Sequence, residues 1–253
     1  MKIYKNYYIK KIMAALALIF ICEVMSILFN YDNTGVFLSG QKKLPIYSVG
    51  TSDKKIALTF DVNWGKDNTE KILQILDKYN IKATFFLIGE WAIDNPDKVK
   101  EIHNRGHEIA NHSTKHPDMT KISREKIIKE VEITDAKIME LTGENCNVFR
   151  CPSGAYNDNV IETINDINHY CIQWNVDSID WKEEGADLEY NRVISKTKPG
   201  SIILFHNNAK YTPQNLPKII DKLKSEGYSF LKISNFIYKK NYYIDYTGKQ
   251  FLK

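Results

Sequence analysis

From Ile56 to Ile233 the sequence alternates short apolar runs with longer amphipathic ones, and this alternation limits the fold more than any other feature. The apolar runs are residues 56–62, 83–88, 108–111, 148–152, 171–176, 201–206 and 230–233. Between them lie predicted helices over residues 68–79, 96–104, 123–141, 158–167, 188–197 and 213–225. Strands that alternate with helices form a parallel sheet covered by helices, because each parallel crossover needs a helix-sized connection. We therefore predict one α/β domain over residues 56–237.

The first 30 residues are predicted to be a targeting segment rather than part of this domain. A basic stretch that ends at Lys11 precedes an apolar run from Ile12 to Phe29, which only Glu23 and Ser26 interrupt. The run approaches the roughly 20 residues that span a bilayer, and no A-x-A cleavage site follows it. We interpret it as a signal anchor, a membrane helix that holds the rest of the chain on the extracytoplasmic face. The alternatives are a cleaved signal peptide, which would leave the chain secreted, and a buried core helix.

Two polar segments flank the predicted domain. Residues 31–55 are turn-rich and aperiodic, and we interpret them as a linker. Residues 238–253 mix tyrosine and lysine and are interpreted as a tail that forms a surface strap or is partly disordered.

Charge and cysteine content narrow the partners and the redox chemistry. The formal net charge of +4 is small against 35 basic and 31 acidic residues, so it argues against a nucleic-acid partner. Cys22 lies in the predicted anchor, and the spacing of the other three cysteines matches no zinc framework. Cys146 with Cys151 is a candidate bridge, and buried unpaired thiols are the alternative.

Residues able to do chemistry follow the predicted strands at the point where each strand ends. They are Asp61, His112, His116, Arg150, Asp177 and His206. Because the carboxyl ends of parallel strands gather at one edge of a sheet or barrel, we expect these side chains to share one pocket. Each has a structural alternative, since an Asp after a strand is often a helix cap, an Arg a surface charge and a His a satisfied core residue. Those alternatives do not predict that all of them meet.

His112 and His116 form the candidate metal-binding pair. A separation of four positions lets both imidazoles approach one cation from a helical turn or a tight loop, and neutral imidazole is a good ligand for zinc. Pro117 disfavours the helical conformation at His116, so we predict a turn that leaves a strand. A surface or capping pair of histidines is the alternative.

Five ordered motifs resemble those of the polysaccharide deacetylase family, which is carbohydrate esterase family four and carries the NodB-homology domain. The motifs are Thr59-Phe60-Asp61, His112-Ser113-Thr114-Lys115-His116-Pro117, Arg150-Cys151-Pro152-Ser153-Gly154, Asp177-Ser178-Ile179-Asp180-Trp181 and Leu204-Phe205-His206. The resemblance covers about residues 56–237, and membrane-anchored members of sporulating bacteria are the type it suggests. It implies a distorted (β/α) barrel and metal-dependent removal of acetyl groups from an N-acetylated glycan, with peptidoglycan as the expected substrate.

The resemblance also implies a role for each motif residue. His112 and His116 would hold a divalent cation, zinc or alternatively cobalt. Asp61 would be the general base and Arg150 would orient it. His206 would be the acid that protonates the departing amine, with Asp177 fixing its tautomer and charge. The backbone N–H of Ser153 would lie near the developing oxyanion, and Trp181 would offer a flat apolar face to a sugar ring.

The chain departs from the family pattern at Val62. The family usually reads Thr-Phe-Asp-Asp-Gly, and its second Asp is the third metal ligand, whereas Val62, Asn63 and Trp64 follow Asp61 here. Valine cannot bind a cation, and a catalytic zinc site normally has three protein ligands. We therefore expect water in the gap, Asn63 or Asp61 turned inward, or weak metal binding.

Two other functions remain as alternatives. The first is a deacetylase-like domain that has lost its metal and serves as a glycan-binding or assembly protein of the envelope. The second is a metalloprotease, which has less support because no glutamate follows the first histidine.

Overall fold

The structure, a computed structural model, describes residues 13, 16–21, 23–25 and 42–253. The predicted anchor over residues 1–30 therefore lies mostly outside the described residues, as does the linker up to residue 41. Within the part of the chain that the structure describes, no helix is both long enough and apolar enough to cross a membrane. The chain divides into the units Met1–Lys42 and Lys43–Lys253, and the elements below belong to the second.

The main sheet of this unit has eight strands, and all of its pairs are parallel. Its strands are β2 (Lys55–Val62), β3 (Thr84–Leu87), β4 (Glu108–Asn111), β5 (Val148–Phe149), β6 (Tyr170–Cys171), β7 (Val176–Asp177), β8 (Ile202–His206) and β9 (Ser229–Phe230). The order is β6-β5-β4-β3-β2-β8-β7, and β9 also pairs with β2. The predicted α/β fold is confirmed, and its sheet is a curled, half-barrel version of the expected distorted barrel.

Helices alternate with these strands along the chain. They are α1 (Thr69–Lys78), α2 (Gly89–Asp94), α3 (Pro96–Asn104), α4 (Arg124–Thr142), α5 (Asp158–Asp166), α6 (Ala186–Lys196), α7 (Thr212–Ser225) and α8 (Ile233–Phe236). At the start of α4 the Ser123 hydroxyl accepts from the Lys126 N–H, and Gly143 ends the helix with φ of 74°. The sequence does not predict α2 and α8, because both are short and begin without a capping side chain.

The central strand β2 divides its side chains between two environments. Leu58, Phe60 and Val62 are fully buried in the largest hydrophobic cluster, which includes residues of the flanking helices. The Phe60 ring stacks between Phe85, at 5.0 Å between centroids, and Phe205, at 5.7 Å. Because strand side chains alternate in direction, Thr59 and Asp61 lie on the opposite face.

The folded unit is wider than the predicted domain. Residues on both sides of it form a second sheet, in which β1 (Ser48–Val49) pairs in parallel with β11 (Lys249–Leu252), and β11 pairs antiparallel with β10 (Tyr242–Ile244). Part of the predicted linker and the predicted tail therefore pair with each other. The sequence hides this arrangement because the two segments are far apart and each contributes few apolar residues.

Gly200 provides a test of this packing, with Gly143 as its control. Both have positive φ, but a Cβ at Gly200 would lie 1.8 Å from the Val49 carbonyl oxygen, whereas one at Gly143 would meet nothing within 4 Å. We expect Gly143→Ala to lower the free energy of unfolding by about 1 kcal/mol and Gly200→Ala by about 3 kcal/mol or more, because only the latter clashes with backbone. Urea unfolding measures both values. Equal losses would contradict the close approach of Val49 to Gly200.

Candidate active site

The carboxyl ends of the parallel strands surround a cavity of about 390 Å³. Its lining residues are Asp61, Asn63, His112, His116, Ser153, Trp174, Asp177, Trp181, Leu204 and His206. Every site residue predicted from the sequence lines this cavity except Arg150, which is fully buried and pairs with the lining residue Asp61. The structure thus brings the predicted residues together at one mouth.

A buried ion pair joins the ends of β2 and β5. Arg150 Nη1 donates to Asp61 Oδ1 at 2.6 Å, and Nη2 donates to the Thr59 hydroxyl at 3.0 Å. Burial alone would raise the pKa of Asp61, but the charge of Arg150, followed by the imidazoles of His112 and His206, outweighs it and lowers that pKa. Asp61 is therefore a carboxylate at neutral pH, as a general base must be.

His112 and His116 lie side by side, with ring centroids 4.9 Å apart and ring planes 73° apart. His112 Nδ1 donates to the carbonyl oxygen of Arg150 at 2.9 Å, which fixes the tautomer and leaves the lone pair on Nε2. That Nε2 lies 3.5 Å from Asp61 Oδ2. Burial lowers the pKa of His112 to about 4 and also lowers the pKa of His116, so both rings are neutral at pH 7. Neutral imidazole is the form that binds a cation.

The loop between the two histidines is bent by a positive φ at Ser113 and at His116, of 64° and 56°. The Ser113 N–H donates to Asn111 Oδ1, and the His116 N–H donates to the Ser113 hydroxyl. These local bonds satisfy the bent backbone. They confirm the predicted turn after a strand in place of a helix.

Asp180, and not Asp177, holds His206. His206 Nδ1 lies 2.6 Å from Asp180 Oδ1, and the His206 N–H donates to Asp180 Oδ2 at 2.7 Å. Burial alone would lower the pKa of His206, but the hydrogen bond and charge of Asp180 outweigh it and raise that pKa. The prediction that Asp177 fixes the His206 tautomer is therefore wrong.

Asp177 makes a different set of contacts. Its Oδ2 accepts from Trp174 Nε1 at 3.1 Å, and its Oδ1 accepts from the Ile179 N–H at 2.8 Å. Ile179 has a φ of 54°, so the chain turns sharply there and the next residue, Asp180, is directed at His206. The motif offers two carboxylates, and only this turn decides which one reaches the imidazole.

The cavity walls carry aromatic side chains and one bent loop. Trp181 is 58% exposed and Trp64 is 44% exposed. Ser153 is exposed and has a φ of 53°, inside the short 3₁₀ turn Pro152–Gly154. Trp174 lies over the neighbouring Gly154, where an added Cβ would come within 3.1 Å of its ring. Exposed indole faces beside a cavity suit the flat apolar face of a sugar ring.

The donor atoms present fit a divalent cation, but with less charge than an Asp-His-His set. The Val62 side chain is fully buried in the core and brings no oxygen. Asn63 lines the cavity instead, and its Oδ1 is buried without a hydrogen-bond partner. A buried amide oxygen without a partner normally costs free energy, which a cation would offset. His112, His116 and Asn63 are thus the residues that would hold the metal, with the Asp61 carboxylate beside them.

Sequence reasoning did not assign Asn207, the residue after His206. Its Oδ1 accepts from the Asn63 N–H at 2.8 Å, and its Nδ2 donates to Asp67 Oδ1 at 3.2 Å. It therefore fixes the backbone that carries Asn63. An amide beside a motif histidine gives no signal of this contact in the sequence.

An ionised carboxylate–guanidinium pair and a separate imidazole–carboxylate pair, both at the strand ends of a curled parallel sheet, define a hydrolase-type site. Residues 48–172 match the family model described as polysaccharide deacetylase. The chain belongs to the polysaccharide deacetylase family, carbohydrate esterase family 4, whose named relatives are hydrolases acting on carbon–nitrogen bonds other than peptide bonds. The family resemblance is confirmed, and the membrane-anchored sporulation type stays a prediction.

Two relatives have names that state an activity. The peptidoglycan-N-acetylglucosamine deacetylase PgdA of Listeria monocytogenes is 34% identical over 221 residues, which are 86% of this chain and 47% of that protein. The peptidoglycan-N-acetylmuramic acid deacetylase PdaA of Bacillus subtilis is 31% identical over 198 residues, which are 77% of this chain and 75% of that protein. The chain thus spans about half of the Listeria protein and three quarters of the Bacillus one.

A similar solved structure belongs to a protein without activity. BA3943 from Bacillus anthracis, described as a CE4 family pseudoenzyme, superposes with a TM-score of 0.73 at 36% identity, covering 76% of this chain and 68% of that one. A BA3943 mutant described as having restored enzymatic activity gives the same TM-score at 37% identity, over 76% and 70% of the two chains.

The two carboxylates of the Asp177–Trp181 motif can be separated by measurement. We expect Asp180→Asn to lower the pKa of the His206 imidazole, because the substitution removes the charge that raises it. Asp177→Asn is the matched control and should shift that pKa less, since Asp177 bonds Trp174 and Ile179. A histidine NMR titration measures both. A larger shift in Asp177→Asn would contradict the assignment.

Proposed function

We propose that this protein hydrolytically removes acetyl groups from the N-acetylated sugars of a cell-wall glycan, with peptidoglycan as the substrate. The observation that carries the proposal is that an ionised Asp61 and a His206 with a raised pKa line the same cavity. A domain that only binds glycan needs no such pair of base and acid. The names of the Listeria and Bacillus relatives support the same substrate class.

The chain's own residues supply the proton transfers. Asp61, held ionised by Arg150, takes a proton from the water that attacks the acetyl carbonyl carbon. His206, held protonated by Asp180, gives a proton to the sugar nitrogen as the carbon–nitrogen bond breaks. The products are acetate and a free amine on the sugar. Separate groups with pKa values moved in opposite directions suit these two roles.

Other residues would position the substrate. The Ser153 backbone N–H lies at the cavity wall, where it would donate to the oxygen that gains charge. Trp181 is largely exposed beside the same cavity and would stack on the sugar ring. A divalent cation held by His112, His116 and Asn63 would polarise the acetyl carbonyl and favour ionisation of water.

An extracytoplasmic location would give the site access to its substrate, and we propose it together with the activity. The sequence pattern of residues 1–30 supports a membrane anchor. Described residues of that segment, among them Leu18, Ile19 and Phe20, are helical and more than half exposed. An apolar helical surface of this kind suits insertion into lipid.

A second candidate function rests on Val62. Because its side chain lies in the core, the site lacks the third carboxylate that the family usually provides. Fewer charged ligands weaken the binding of a divalent cation. The similarity to BA3943, a pseudoenzyme, supports a glycan-binding or envelope-assembly role without turnover.

Val62→Asp separates the two candidates, with Val62→Asn as the control that has the same size without the charge. Bound zinc is measured by elemental analysis, and acetate release is measured on purified peptidoglycan. We expect the native chain to bind zinc and release acetate, to lose both in a chelator, and to gain zinc affinity in Val62→Asp by roughly tenfold or more.

The outcomes of that experiment distinguish the candidates. A native chain without turnover, together with acetate release by Val62→Asp only, would favour the second function. Absence of turnover in every folded variant with zinc bound would contradict the first function. Thermal unfolding of each variant shows whether the core tolerates a polar side chain at this position.

Asp61→Asn tests whether Asp61 acts as a base or as a metal ligand. We expect turnover to fall by about 10²–10⁴-fold while zinc content is unchanged, because the proton acceptor is lost and the imidazoles remain. Elemental analysis and acetate release are measured on the same preparation. Loss of zinc together with turnover would contradict the role of base and make Asp61 a ligand.

A further inference from the structure

A second cluster of metal-ligating side chains lies outside the cavity described above. It consists of Asp135 on α4, Cys146 on the loop after that helix, and His169 just before β6. One ligand atom from each lies within 4.8 Å of the others. Among the described residues, no other group of three histidine, cysteine or acidic side chains comes this close. The three are distant in sequence, so the fold and not a motif brings them together.

His169 presents a buried nitrogen to this cluster. The side chain is 7% exposed, and Nδ1 donates to the Ile167 carbonyl oxygen at 2.9 Å, which orients the ring. Nε2 lies 3.0 Å from Asp135 Oδ2, yet it is buried without a hydrogen-bond partner, so the contact is close but poorly aligned. Two ligands of one tetrahedral zinc ion lie about 3.3 Å apart without bonding each other, which matches this contact.

The other two groups are also available. Asp135 Oδ1 accepts from Asn111 Nδ2 at 2.7 Å, which leaves Oδ2 on the side of His169. Cys146 forms no disulfide, and its Sγ makes only a long contact of 3.4 Å to the Val148 carbonyl oxygen. Burial raises the pKa of this thiol, so a thiolate here needs a cation beside it. Cys146 also lines a cavity of about 240 Å³, which gives an ion a path to the cluster.

We infer that Asp135, Cys146 and His169 form a second site for a zinc-like divalent cation, separate from the His112–His116 pair. A thiolate, an imidazole and a carboxylate are the ligand types that zinc prefers, and water from the adjacent cavity would complete four-coordination. Binding would release the thiol proton of Cys146, and the imidazolium proton wherever His169 carries one, so affinity rises with pH.

This site would be structural. It would join α4 to the loop that follows it and to the turn before β6. Through Asp135 it also reaches Asn111, whose Oδ1 accepts from the Ser113 N–H in the loop that carries His112 and His116. The alternative is that Asp135 and His169 form only a buried ion pair.

Cobalt(II) distinguishes this site from the first one, because only this site contains a thiolate. We expect Co²⁺ added to the reduced full-length chain to give a near-ultraviolet thiolate-to-cobalt charge-transfer band at one equivalent. The band should persist in a His112→Ala/His116→Ala variant and disappear on addition of zinc. Cys146→Ser should remove it, whereas Cys151→Ser, the matched control with a buried thiol elsewhere, should keep it.

His169→Gln provides a second variant that retains the thiol, and we expect it to weaken cobalt binding by roughly tenfold or more. Circular dichroism verifies that each variant is folded. No band in the folded native chain would overturn the proposal and leave the Asp135–His169 ion pair. A band that survives in Cys146→Ser, or an unchanged affinity in His169→Gln, would also overturn it. Since the readout is independent of acetate release, its failure leaves the proposed deacetylation untouched.

Discussion

The buried contact between Asp61 and Arg150 organises the cavity from below. Arg150 is fully buried, and its guanidinium lies 3.9 Å above the Phe86 ring while it donates to Asp61, to Thr59 and to the Gln173 carbonyl. Its own carbonyl oxygen accepts from His112 Nδ1. One residue thus keeps the base ionised and sets the tautomer of a metal-ligand candidate. Two charges this deeply buried require mutual compensation, because either one alone would carry a large desolvation penalty.

The alternation of side chains along β2 explains how the chain keeps its base while lacking a family ligand. Asp61 faces the polar side with Arg150, whereas Val62 faces the helices and packs with the core. A valine there adds apolar burial and removes one negative charge from the cavity. The remaining donors near the cation position are the neutral imidazoles and the Asn63 amide oxygen, beside one carboxylate. The balance between packing and charge at this single position therefore bears directly on metal affinity.

The sequence predicts the fold and most of the cavity because both follow from local patterns. Strand–helix alternation specifies a parallel sheet, and a parallel sheet places the residues after its strands at one edge. The choice between Asp177 and Asp180 was beyond reach because it depends on a left-handed backbone at Ile179. The pairing of β1 with β11 and the approach of Cys146 to His169 are long-range contacts, for which neither spacing nor composition gives a signal. The anchor over residues 1–30 stays a prediction.

A double-mutant cycle on Asp61 and Arg150 tests the central claim most directly. The free energy of unfolding is measured for the native chain, Asp61→Asn, Arg150→Met and the double variant. If the pair organises the cavity, each single change costs about 3–5 kcal/mol because it leaves an uncompensated buried partner, and the double variant costs about 2–3 kcal/mol less than the sum. Additivity within about 0.5 kcal/mol would show that the two side chains do not depend on each other and would contradict the account.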